Sequence, residues 1–158
     1  MTREDADSFE VQGVERIPVC TTDGDAQTWT LKISCHSRSL DYLVHLSDTG
    51  GGEWEGFGHN VFSAFADARS EPEARGFRFL VIGARPEYWP SGMSSSMGGG
   101  VALYRHYPSA LRRLVGDLAD VVMRRGSTRY MFDPAPLSKI ATASEQTVFR
   151  AQWKMRII

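Results

Sequence analysis

Four histidines, two cysteines and a pair of loop glutamates are the side chains through which this chain could do chemistry, and their spacing limits which chemistries are open. A metal needs several deprotonated donors converging on one point, and His36, His45, His59 and His106 fall in no Cys-x-x-Cys or His-x-x-x-His pattern. No metal ligand set and no cofactor is expected. Cys35 adjoins His36, but on a strand adjacent side chains point to opposite faces, so the pair cannot form the nucleophile–base hydrogen bond of thiol catalysis. Cys20, in Val-Cys-Thr-Thr-Asp-Gly, is freer, yet nothing in the sequence assigns it a base. Both thiols read as small apolar residues in place of a disulfide.

Glu53 and Glu55 flank Trp54 within the glycine-rich stretch from Asp48 to His59. An aromatic neighbour that excludes water raises a carboxyl pKa, which would suit acid–base work; in an exposed loop the same acids are simply solvated. The stretch lacks the ligand order of a calcium-binding EF-hand loop. Gly98-Gly99-Gly100 leads into a strand instead of a helix and carries no lysine, which removes the phosphate-cradle motifs and leaves positive φ or close backbone contact as its purpose. Arg105, Arg112, Arg113, Arg124, Arg125 and Arg129 are concentrated in one helical region. A pI near 6.4 and the absence of helix-turn-helix, zinc-finger or RNP patterns argue against a nucleic-acid partner.

The elements that must position these groups follow from periodicity. Trp29, Leu31, Ile33 and Cys35 alternate with polar residues, and so do Leu40, Tyr42, Val44 and Leu46. Paired as a hairpin about a four-residue loop, they set Leu31 against Leu46, Ile33 against Val44 and Cys35 against Tyr42, with Lys32 opposite His45. A one-residue slip would destroy the coincidence of the apolar sets. Asn60 caps a short helix carrying Val61, Phe62, Phe65, Ala68 and Arg69 and ending near Pro72. Phe77 to Ala84, apolar on both faces, is expected to be a central strand. Gly100 to Tyr107 is expected to be another, followed by a helix with the stripe Leu111, Leu114, Val115, Leu118, Val121 and Val122. Thr142-Ala-Ser-Glu145 has capping-box spacing and opens a final helix with Val148, Phe149, Gln152 and Trp153 on one side. Pro18 assigns any strand in Phe9 to Val19 to an edge.

The result is an α+β domain, a mainly antiparallel sheet with helices packed on it, spanning residues 9–158 after a disordered 1–8. The expected core includes Leu31, Ile33, Val44, Phe79, Val81, Leu103, Leu114, Leu118, Phe149 and Trp153. A length of 158 residues suits one core. No run approaches a membrane span and the acidic start lacks a secretory signal, which points to the cytoplasm and to no membrane partner. Residues 1–76 hold 14 acidic against 6 basic side chains and residues 77–158 hold 5 against 12, a split of −8 and +7 that either forms two faces or mixes over one surface.

The least ordinary stretch is Arg85-Pro-Glu-Tyr-Trp-Pro-Ser-Gly-Met-Ser-Ser-Ser-Met-Gly-Gly-Gly100. A loop holding Tyr88, Trp89, Met93 and Met97 is costly in water unless it packs back or binds something. It resembles the Pro-Ser-Gly-Met-x-x-x-Met-Gly-Gly-Gly loop of a group of small bacterial proteins of undetermined function, and Glu145-Gln146-x-x-Phe149-x-x-x-Trp153 is similar to their final helix. Ile82-Gly-Ala-Arg85 departs from the Asn-Gly-x-Arg form of that group. By analogy with small bacterial proteins that lack catalytic residues, the resemblance implies an immunity protein of a polymorphic toxin system, binding a toxin domain by direct contact. The expected partner-binding residues are Glu53, Trp54, Glu55, Arg85, Tyr88, Trp89, Met93 and Met97. The rival reading is a small ligand-binding domain or enzyme with a pocket under the 85–99 loop, Arg85 holding an anionic group and Tyr88 and Trp89 stacking on the ligand.

Overall fold

A computed structural model describes residues 8–106, 118 and 128–155. Alternation along the first half of the chain builds four long strands in sequence, β1 (Phe9–Thr21), β2 (Ala26–His36), β3 (Tyr42–Ser47) and β4 (Glu53–Gly58), and a short β5 (Phe77–Phe79) joins them. All neighbours are antiparallel, in the order β4-β3-β2-β1-β5. The expected hairpin is present residue for residue: Leu31 pairs with Leu46, Lys32 with His45, Ile33 with Val44 and Cys35 with Tyr42. Its loop is the four residues 37–40, closed by the His36 N–H donating to Asp41 O, with Leu40 at φ 60°. The Asp41 carboxylate meets His59 Nδ1 at 2.8 Å, while His36 Nδ1 accepts from the Arg38 and Ser39 amides.

The inward residues form one core. Trp29 stacks on Trp54 with ring centroids 4.8 Å apart and 7° between planes, and meets Phe77 and Phe79 edge-on. Helix α1 (Val61–Ala74) covers this face with Phe62, Ala64, Phe65 and Ala68. It starts as expected: the Ser63 N–H donates to Asn60 Oδ1 at 2.8 Å. A Cβ on Gly56 would lie 2.1 Å from the Ala68 nitrogen and 2.3 Å from Ala64 O, so the glycines of β4 let the helix backbone lie directly on the strand.

Two expectations about strands are corrected. Phe77 to Ala84 is no central strand: only Phe77–Phe79 pairs, at the sheet's edge, and Ile82–Ala84 is a single 3-10 turn. Its apolar run is buried for a different reason, since Gly83 sits against Met131 and Val81 bridges Pro134. Pro18 lies in an interior strand, β1. The proline acts only where β5 ends: the Leu80 N–H donates to Pro18 O, and Leu80 O, which proline cannot supply with a donor, accepts from the Ala135 N–H at 2.8 Å.

A second sheet, in the order β6 (Tyr88–Pro90), β7 (Ala102–Arg105), β8 (Thr128–Tyr130), carries the short helix α2 (Gly92–Met97) between its first two strands. The last helix, α3 (Ala143–Met155), begins with the expected box: the Thr142 N–H donates to Glu145 Oε2 and the Glu145 N–H to Thr142 Oγ1. Its apolar stripe is a further correction. Val148 is 54 % exposed, Gln152 is exposed, and Phe149 and Trp153 are half-buried. Among the described residues of α3 the fully enclosed one is Gln146, whose Oε1 accepts from Arg69 Nη2 at 2.6 Å and whose amide donates to Gly83 O and Arg85 O.

Arg69 is wholly buried, ion-paired with Glu73 one turn along α1, and donates to Ala141 O. Glu73 also accepts from the Ala143 N–H at 2.7 Å. Burial pushes the Glu73 carboxyl above its ordinary value, opposed by Arg69 and the Ala143 amide. Cys20 and Cys35 are free thiols on separate rungs of the sheet. Leu118, expected in the core, is 64 % exposed; the rest of its stripe and residues 1–7 lie outside the described residues.

Candidate functional site

The residues singled out by sequence fall on two sides of α1. Glu53, Trp54 and Glu55 lie on β4, where strand alternation turns Trp54 into the core and both glutamates out. Trp54 is only 9 % exposed and is a packing residue of the Trp29 stack, one edge of which reaches the surface. Arg85, Tyr88 and Trp89 lie on the other side, at the start of the second sheet.

The 85–99 segment packs back on the domain at its first half and projects at its second. Trp89 is also 9 % exposed; its Nε1 donates to Pro86 O at 2.8 Å, its ring meets Phe62 at 5.1 Å, and the Arg150 guanidinium lies 4.3 Å from its centroid. Arg85 is ion-paired with Glu87 and lies over the Tyr88 ring at 4.9 Å, so its charge is already engaged within the segment. Met93 and Met97, four residues apart on α2, are 74 % and 84 % exposed. Their helix is fixed at both ends: the Ser94 N–H donates to the Ser91 cap, Ser94 Oγ to Ala102 O, and the Gly100 N–H to Ser94 O. Gly99 and Gly100 take positive φ, and Gly99 O accepts the first N–H of α1, from Val61, at 2.7 Å. The glycine triplet therefore serves close packing on a helix start.

Two grooves of ≈ 610 Å³ each result. One runs under the 88–97 segment, between α1 and α3, with a hydroxyl-rich wall (Ser63, Ser95, Ser144, Thr147) and Arg150 as its cation. The other runs along the outer edge of β4, walled by Glu53, Glu55, Asp67 and Glu71. Asp67 and Ser70 line both, so the grooves lie side by side across α1. Arg150, Asp67 and Ser70 were not singled out from sequence; they sit on the polar faces of helices, where nothing distinguishes a groove wall from a solvated surface. Arg85, expected to face a pocket, does not line the first groove.

The arrangement offers recognition by hydroxyls, carboxylates and an aromatic-backed cation. Among the described residues no group of three or more His, Cys, Asp or Glu is placed to hold a metal ion, and no helix is long and apolar enough to cross a membrane. The sequence matches no protein-family model and no curated protein.

Proposed function

We propose that the chain is a protein-binding inhibitor, an immunity-type protein that neutralises a bacterial toxin domain by direct contact. The observation that carries this reading is the exposed pair Met93 and Met97 on an anchored helix. Methionine is enriched in interface cores because its unbranched, polarisable side chain adapts to a partner's surface. Holding two of them on a helix tied to β7 and to the start of α1 lowers the ordering cost of binding. The hydroxyl-lined groove beside α2, with Asp67 and Arg150 in its wall, adds the polar rim such a surface needs.

The test is co-purification of the full chain with the product of the adjacent gene. The double variant Met93→Ala, Met97→Ala is expected to weaken that complex by roughly tenfold or more while its melting temperature stays unchanged. Equal affinity would remove α2 from the interface.

The hydroxyl-lined groove favours a second reading, a site for a small polar or anionic ligand held by Arg150. Trp89, backed against Arg150, would report occupancy through its fluorescence. A titration with inorganic phosphate or acetate that leaves the emission unchanged in the wild type and in Arg150→Ala counts against it.

A further inference from the structure

The outer edge of β4 is open in a specific way. The Asp48 N–H donates to Gly52 O at 3.0 Å to close the β3–β4 hairpin, and antiparallel alternation then puts the bonded pairs at Leu46–Trp54, Val44–Gly56 and Tyr42–Gly58. Glu53, Glu55 and Phe57 are left with their N–H and C=O groups aimed away from the sheet. Asp67 Oδ2 takes the Phe57 N–H at 3.0 Å. Among the described residues nothing takes those of Glu53 and Glu55, and the groove lies against them.

Charge decides what can pair there. The glutamate side chains stand on the solvent face of the sheet, while Asp67 and Glu71 come from α1 on the opposite side of the edge. The His45 ring lies 3.7 Å from Glu53, and Arg75 holds Glu71 in an exposed pair of the kind that contributes little and is readily exchanged. A second copy of this chain, pairing β4 with β4, would set glutamate against glutamate, and like charges directly opposite are destabilising. A strand carrying consecutive lysines or arginines meets carboxylates on both of its faces. Its residue opposite Glu55 extends the cross-strand row that already runs Lys32, His45, Glu55, and its residue opposite Glu53 extends the row Thr30, Ser47, Glu53.

We propose that the free edge of β4 is a strand-addition site for an extended, Lys- or Arg-rich segment of a partner protein, held by the Glu53 and Glu55 backbone and by the carboxylates of Glu53, Glu55, Asp67 and Glu71. The proposal rests on the protein-binding reading above and names the chemistry the partner presents.

The experiment uses the full chain with three capped, fluorescein-labelled peptides: pentalysine, pentaglutamate, and pentalysine with alternate backbone N-methyl groups, which keeps the charge and removes the strand's donors. Anisotropy gives affinity, and amide hydrogen exchange locates the contact. Pentalysine is expected to bind and to slow exchange at the Glu53 and Glu55 amides. The N-methylated peptide and the E53K/E55K variant are each expected to lose about tenfold in affinity, and pentaglutamate to show no binding. Both glutamates are exposed, and thermal unfolding of the variant verifies its fold. Equal binding of the N-methylated peptide, or protection that maps elsewhere, overturns the proposal, as does failure of pentalysine to bind. Because no natural partner is needed, pentalysine bound at the edge with no neighbouring gene product bound leaves the edge standing and removes the inhibitor reading. A gene product that binds wild type and E53K/E55K equally does the reverse.

Discussion

Replacing Arg69 with methionine removes the cation of a buried network while keeping most of the side-chain volume. Arg69 is 0 % exposed and serves three acceptors, Glu73, Ala141 O and Gln146 Oε1. Its loss leaves a buried carboxylate without its counter-charge, a change that typically costs about 3–5 kcal/mol. In a domain of this length that corresponds to a fall in melting temperature of roughly 6–20 °C. The loss also acquires a pH dependence. Burial already holds the Glu73 carboxyl high, and Arg69 is the main opposing influence, so the variant's Glu73 rises further. A carboxyl whose folded pKa exceeds its unfolded value of about 4.3 favours the fold below that value, and the contribution disappears as pH rises through the folded pKa. Arg69→Met is therefore expected to be least impaired near pH 4 to 5 and most impaired at pH 7 to 8. In the double variant Arg69→Met, Glu73→Gln, an amide oxygen can still accept from the Ala143 N–H, no charge is buried, and the excess pH dependence is expected to vanish. Urea unfolding of the three proteins across that pH range measures all of this. A loss below about 1 kcal/mol at pH 7, or one that does not change with pH, would refute the reasoning.

Phe79→Ala is expected to cost about 3–5 kcal/mol even though β5 is an edge strand, because the ring is fully enclosed between Trp29 and Phe65; urea titration checks it. Trp89→Ala is expected to lower the melting temperature substantially, since the ring is a plug between Phe62 and Arg150, and an unchanged melting curve would return Trp89 to the binding surface. Gly56→Ala is expected to destabilise by about 1–3 kcal/mol or more through its clash with the α1 backbone, whereas Gly13→Ala, which meets nothing within 4 Å, serves as the control. Iodoacetamide at pH 8 is expected to modify Cys35 before Cys20, whose thiol is enclosed and pushed up by burial; mass spectrometry of the digested protein gives the order.

The parts of the fold that were legible in the sequence are those governed by local periodicity. Alternation of Trp29 to His36 and Leu40 to Leu46 specifies one register, and Asn60 and the Thr142–Glu145 box mark helix starts through contacts three residues apart. The Phe77 to Ala84 run was misread because an apolar stretch buried on both faces is compatible with a strand or with a turn wedged against distant residues, here Met131 and Pro134. Trp54 and Trp89 stood outside any stripe, yet each is enclosed by partners far along the chain, Trp29 for one and Arg150 for the other. A signal for the buried network was present: Arg69 occupies an apolar position of α1 with Glu73 at i+4, and a charge on an apolar stripe has to find its partner inside. The β4 edge could not be read from sequence, because which strand ends a sheet depends on the order of all of them.

The Gln146 amide has an effect beyond filling its niche. One oxygen accepts from Arg69 and the nitrogen donates to two carbonyls of the 83–85 turn, so the side chain fits in a single orientation. Apolar contacts tolerate a helix that slides or rolls by a few degrees, whereas this set of bonds does not. Rotating α3 by one residue, about 100° for an α-helix, would swing the amide away from all three partners at once. The C-terminal helix is thus keyed by angle, and an inserted residue between Thr142 and Gln146 could not be absorbed by slippage: the helix would seat as it does now or leave the domain altogether.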